Sequence, residues 1–291
     1  MTYPTQSNPD MVASLPQRQG ISPFILIRDL LFVVAMIASI SLVISLWGSH
    51  GNEISCLSSY RSKLPLSIHG VAIHYCYNPQ RFFSNAWLHP PISGQGGQVS
   101  LPEGLRVVPA IENFVRAYSR DFLTQNLQDI YLLGEMIFYG QHYGGTYSQQ
   151  AIYIEVHSVG ENYTNDYVTS QLHAEFSSIL IHNYPFPWES WTEINDPNFK
   201  YSENPIMLLG EAGLYDQNDN LLNQGFINQY STTDVENDFN DMAFLLFNQS
   251  NQLCDLAERY SKISAKVKLV VAFYQKNDPE IHLSPCYKNL K

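Results

Sequence analysis

Residues His173 to His182 read H-A-E-F-S-S-I-L-I-H. On a helix, a glutamate with histidines one position before it and three after it presents two imidazoles to one zinc ion. The carboxylate then polarises the attacking water. Centred on Glu175, those two positions hold Ala174 and Ser178, and neither supplies an imidazole. The chain keeps the base of a metal-assisted hydrolysis without its two nearest ligands. His182 falls on the same face as Glu175 and Ser178, within about 60°, but about 10 Å further along the axis than Glu175. Zinc–ligand bonds are about 2 Å, so direct co-ligation by Glu175 and His182 would be strained. His173 lies about 160° or more around the helix from His182, which makes it most simply an edge-of-core residue. Ser178 and His182, one turn apart, are the types of a nucleophile and its base, though no oxyanion hole is recognisable beside them. A histidine at a helix end is also favoured by the macrodipole alone.

The elements that must position these groups are legible in outline. The spacing predicts a helix over 165–183, with Val168, Leu172, Phe176 and Ile179 on a buried face and Glu175, Ser178 and His182 on a face free to line a cleft. Tyr184-Pro-Phe-Pro ends it. The clearest strand precedes it at 151–157: Ile152, Ile154 and Val156 point one way, Tyr153, Glu155 and His157 the other. Glu175 is expensive to bury unpaired, so it should face water or have a partner, and His157 at the end of the strand is a candidate. Further helices are expected over 109–126, 235–248 and 253–274, and a strand over 130–138. Asp234, Glu236 and Asp238 lie near a helix start, where negative charge is stabilised in any case. Asp241 lies further in and is the better site candidate.

At 45% hydrophobic and 15% charged, the 291-residue chain can bury a substantial core and is not disordered wholesale. A net charge of −11 without a basic run excludes a general nucleic-acid binder. Residues 1–22 read as a polar, proline-bearing tail. Residues 24–48 contain L-L-F-V-V-A-M-I-A-S-I-S-L-V-I-S-L-W, long enough to cross a bilayer as a signal-anchor helix. Arg18 and Arg28 precede this run and Glu53 follows it, which places the main region outside, in the periplasm or extracellular space. Residues 51–104 are loop-rich. All four cysteines, Cys56, Cys76, Cys254 and Cys286, follow the apolar run, consistent with up to two disulfides of open pairing.

Three segments together resemble a family of zinc-binding metallopeptidases of exported bacterial proteins, of zincin type. These are His173-Ala-Glu-Phe-Ser-Ser-Ile-Leu, Gly225-Phe-Ile-Asn-Gln-Tyr-Ser and Asn237-Asp-Phe-Asn-Asp-Met242. They match family patterns H-H-E-F-x-H-I-L-H, G-F-x-x-x-Y-(A/S) and E-D-F-A-E-M over roughly residues 105–285. The resemblance implies a zincin-like α+β domain over 105–291, with a small mixed sheet, an active-site-type helix and C-terminal helices. It also implies Glu175 as general base, Asp241 (or Asp238) as an acidic third ligand, and an edge strand that pairs with extended substrate. Both histidine ligands of the pattern are missing. The expectation is therefore a membrane-anchored, non-proteolytic module that captures a peptide or protein along the 151–157 strand, through Tyr153, Glu155 and His157, with no cofactor. The alternative is an active hydrolase with a rebuilt zinc site, drawing ligands from His182, His157, His173 or Asp241.

Overall fold

The computed structural model of the chain describes residues 65, 67–75, 83–157, 162–202 and 214–289, all within one compact unit spanning 52–291. The expected tail, the expected membrane helix at 24–48, Cys56 and Cys76 lie outside the described residues. Among those described, no helix is long and apolar enough to cross a membrane.

A mixed sheet runs through the fold. Strands β1 (Ser67–Ile68), β2 (Val71–His74), β4 (Asp129–Phe138), β7 (Ala151–Glu155) and β6 (Gly145–Ser148) follow in the order β1-β2-β4-β7-β6. The long β4 carries two further partners, β3 (Gln95–Gln98) and β5 (Gln141–His142). The pairings β2–β4 and β4–β7 are parallel, and the rest are antiparallel. The segment 67–98, expected in a loop-rich lead-in, therefore builds into the same sheet as the region after 105.

Alternation along β7 decides its two sides. Ile152, Ile154 and Val156 join the main core beneath the helices, while Ala151 and Tyr153 join a smaller cluster with Phe83, Leu133, Met136 and Phe138. The central helix α5 (Asn165–Asn183) starts at Thr164, whose hydroxyl accepts from the Tyr167 N–H. Val168, Leu172, Phe176 and Ile179 are buried as the spacing requires. The helix is not one-sided, however: Ser177, Ser178 and Leu180 are buried too, because α5 packs against α3 (Val108–Arg116), α8 (Val235–Asn248), β6 and β7.

Two expected helices are each broken. The 109–126 segment becomes α3 and α4 (Arg120–Asn126), parted at Ser119, whose extended backbone gives its N–H to Asp278 Oδ2 at 2.8 Å. The last helix becomes α9 (Ser250–Arg259) and α10 (Ser261–Asn277), parted at an extended Tyr260 whose hydroxyl donates to Asp219 Oδ1 at 2.6 Å. In both cases one side chain or backbone amide has a tertiary partner that apolar periodicity does not register. Cys254 and Cys286 form a disulfide tying α9 to the C-terminal 3-10 turn Pro285–Asn289.

Candidate functional site

Glu175 sits on α5 facing β6 and the first turn of α8. Gly145 of β6 lies so close that a Cβ there would collide with the Glu175 carboxyl, so the strand passes over the glutamate only because position 145 has no side chain. Burial pushes the Glu175 pKa up to about 8, and the nearby Glu236 carboxylate adds to it. The expected partner is absent: His157 pairs with Glu155 instead. Glu175 is therefore held near neutrality by want of a cation rather than paired.

Asp241, one turn into α8 from Glu236, is also pushed up, to about 7, mainly by burial, with the Asp238 charge adding and Ser231 opposing. The Ser231 hydroxyl donates to Asp241 Oδ2 at 2.6 Å and is itself held within the turn by Asn228. Ser178, buried on α5, accepts a hydrogen bond from Asn240 Nδ2 at 2.7 Å. Tyr147 of β6 closes the group: its pKa is raised by burial first and Glu236 second, and its ring meets His182 at 5.7 Å. The rings of Tyr230 and Tyr215 meet at 5.3 Å, tilted by 48°, and Tyr230 senses both Asp241 and Glu175.

The other expected ligands are elsewhere. His173 is 1% exposed, accepts or donates a 2.8 Å hydrogen bond with Tyr118 and stacks on Phe247 at 4.2 Å. Burial lowers its pKa to about 3, so it is a neutral core residue. His182 is exposed and donates Nδ1–H to the Ser178 carbonyl at 2.8 Å, which orients it away from the Ser178 hydroxyl and disfavours a Ser–His pair. Asp238, the expected substitute ligand, is fully buried and takes hydrogen bonds on Oδ2 from Lys266 (2.6 Å), Tyr201 (2.7 Å) and Trp191 (3.0 Å). Thus His157, His173, His182 and Asp241 do not converge, and among the described residues no three His, Cys, Asp or Glu side chains form a ready metal shell.

The expected peptide-binding strand is also misplaced. β7 is interior, paired on both sides by β4 and β6. Tyr153 is buried against Tyr131, Phe83 and Trp87, and Glu155 is fully buried. Among the described residues the sheet ends at β6. Register pairs Gly145 with Ile154, and the Glu155 N–H donates to the Gly144 carbonyl. In an antiparallel pair the inward-bonded residues alternate, so Thr146 and Ser148 face β7 and the backbone groups of Gly145 and Tyr147 point outward.

The profile of the family described as "Putative zinc-binding metallo-peptidase" matches residues 66–283. The chain belongs to that family. Among solved structures, it is similar to a protein titled a putative zinc-binding metallo-peptidase from Bacteroides caccae ATCC 43185. The identity is 14% and the TM-score 0.47, covering 83% of this chain and 90% of that one. No curated protein sequence matches. Glu175 on α5 and Asp241 on α8 both act on the Tyr230 hydroxyl, whose pKa is raised first by burial. Asn240, Ser231 and Gly145 carried no signal in the sequence, because their part in the site depends on which helix face meets which strand.

Proposed function

We propose that this family member is a peptide- or protein-binding module that does not carry out ordinary zinc proteolysis, exported and anchored through 24–48. The observation that supports it best is the Ser178–Asn240 hydrogen bond. At the position where the family pattern places a histidine, a buried serine is instead joined directly to α8. Zinc implied by the family does not fit the donors around Glu175. Ala174 offers none, the Ser178 hydroxyl is engaged by Asn240, and the Asp241 carboxyl is engaged by Ser231. Three carboxylates without an imidazole form a hard oxygen set unlike that of a zinc hydrolase.

The outward edge of β6 supports this reading. An added strand would bond the outward backbone groups of Gly145 and Tyr147, directly beside Glu175 and the tyrosines. The Cys254–Cys286 disulfide fits an oxidising, exported compartment.

The test is to incubate the protein, with and without added zinc, with an unbiased peptide pool and to analyse both cleavage products and retained peptides by mass spectrometry. The reading expects retained peptides and no cleavage. Retention should survive Tyr147→Phe and be lost in Tyr147→Pro, which removes an outward N–H. Chelator-sensitive cleavage that disappears in Glu175→Gln would overturn it in favour of a rebuilt peptidase.

A further inference from the structure

Asp238 of α8 and Lys266 of α10 meet where neither side chain reaches water. Both are 0% exposed, and Lys266 Nζ stands 2.6 Å from Asp238 Oδ2. The surroundings are aromatic: Nζ lies 4.0 Å from the centre of the Phe226 ring and 5.1 Å from that of Trp191. The two oxygens of Asp238 are not equivalent. Oδ2 also accepts from Trp191 Nε1–H at 3.0 Å and from the Tyr201 hydroxyl at 2.7 Å. The Asn195 amide, donating to that hydroxyl at 3.0 Å, orients it. Oδ1 is buried with no hydrogen-bond partner among the described residues. An ammonium and a carboxylate taken wholly out of water lose solvation that their mutual attraction does not fully restore. The same loss favours any step that removes both charges.

We propose that Lys266 and Asp238 condense to an amide, an isopeptide cross-link between α10 and α8. A proton passes from Nζ to Oδ1 and leaves an amine beside a carboxylic acid. The amine lone pair forms the Nζ–Cγ bond, and the carbonyl π pair moves onto Oδ2. Trp191 and Tyr201 already donate to that oxygen and hold the charge that develops there. Nitrogen gives a second proton to the Oδ1 hydroxyl, the Cγ–Oδ1 bond breaks, and Oδ1 departs as water. One ammonium and one carboxylate become one amide and one water, with no oxidant, reductant or further reactant. The encounter of amine and acid, which is bimolecular in solution, is already made by the fold. The product also suits the cluster: Oδ2 keeps both donors as an amide carbonyl, and the unpartnered oxygen is gone. The cross-link would tie the helix that carries Glu236 and Asp241 to α10, and it holds whether or not the β6 edge binds a peptide.

The experiment is tryptic peptide mapping by mass spectrometry of the full-length protein, reduced and denatured first. Cleavage after lysine and arginine places Asp238 in the peptide 201–259 and Lys266 inside the stretch 263–268. The expected result is a branched species, 201–259 joined to 263–268, uncleaved after Lys266 and lighter than the two parts by one water. It should be absent from Lys266→Met and from Asp238→Ala. The decisive reading is made on the wild type, so it stands even if a variant fails to fold. Unjoined 201–259 with ordinary cleavage after Lys266 in the wild type would overturn the proposal. So would a water lost within 201–259 alone, which marks a cyclic imide, or a branched species that persists in either variant.

Discussion

Replacing Glu175 by glutamine should stabilise the protein at neutral and alkaline pH and do little at pH 5. The ordinary value for this carboxyl is 4.5, and burial beside Glu236 raises it to about 8 in the folded chain. Between those values the folded state holds a proton that the unfolded state releases, so stability falls as pH rises from 4.5 towards 8 and then levels off. At pH 7 the interval above 4.5 is roughly 2.5 pH units, each about 1.4 kcal/mol, which gives about 3 kcal/mol of destabilisation. Glu175 is only partly buried, and water reaching it trims the effect to about 2 kcal/mol. Glutamine keeps the shape without the ionisation. At pH 5 the two proteins should differ by under about 1 kcal/mol. The assay is urea unfolding of residues 52–291, a compact unit, followed by tryptophan fluorescence at pH 5, 7 and 8.5. A gap between wild type and Glu175→Gln that stays constant with pH would show that the carboxylate is paired and ionised, and would refute the reasoning. So would a variant less stable at pH 8.5 than the wild type.

Lys266→Met should lower unfolding free energy by about 3–5 kcal/mol, because it strands Asp238 among Trp191 and Tyr201 in the core; adding Asp238→Leu should recover part of that loss in the same urea assay. Removing the Cys254–Cys286 bridge, which closes a separation of 32 residues, should cost about 3–4 kcal/mol by loop entropy, read as a lower urea midpoint in the Cys254→Ser/Cys286→Ser variant. Ala174→His with Ser178→His should create zinc binding that a further Asp241→Asn abolishes, measured as metal per chain. The new imidazole at 178 must displace the Asn240 contact at an overpacking cost of about 1–3 kcal/mol, so thermal stability should fall without metal and rise with it.

Local pattern carried the fold where one face of an element met the core. Val168, Leu172, Phe176 and Ile179, and the alternation at 152–156, are buried as spacing required. Pattern failed where a single long-range partner decided the backbone, as Asp278 does at Ser119 and Asp219 does at Tyr260. In the site, Glu175 was singled out by motif spacing and Asp241 by the family resemblance; the structure sets Glu175 against Gly145 of β6 and ties Asp241 to Ser231. Strand order was not legible: a run of five buried residues at 151–155 reads the same at a sheet edge or inside it, and only the pairing with β6 shows it to be inside. Lys266 was hidden for a related reason. On an amphipathic helix a lysine among apolar residues reads as a snorkelling surface group, yet here it is fully buried because Asp238 and the rings of Phe226 and Trp191 meet it.

Between α5 and α8 the carboxylates of Glu175 and Asp241 are biased towards their protonated forms, and an acid that keeps its proton near neutral pH is a poor ligand. Stoichiometric zinc on the whole protein that is lost in Glu175→Gln would mean that these carboxylates shed their protons to a metal, and the reading of Ser178 as the mark of a lost catalytic centre would fail with it.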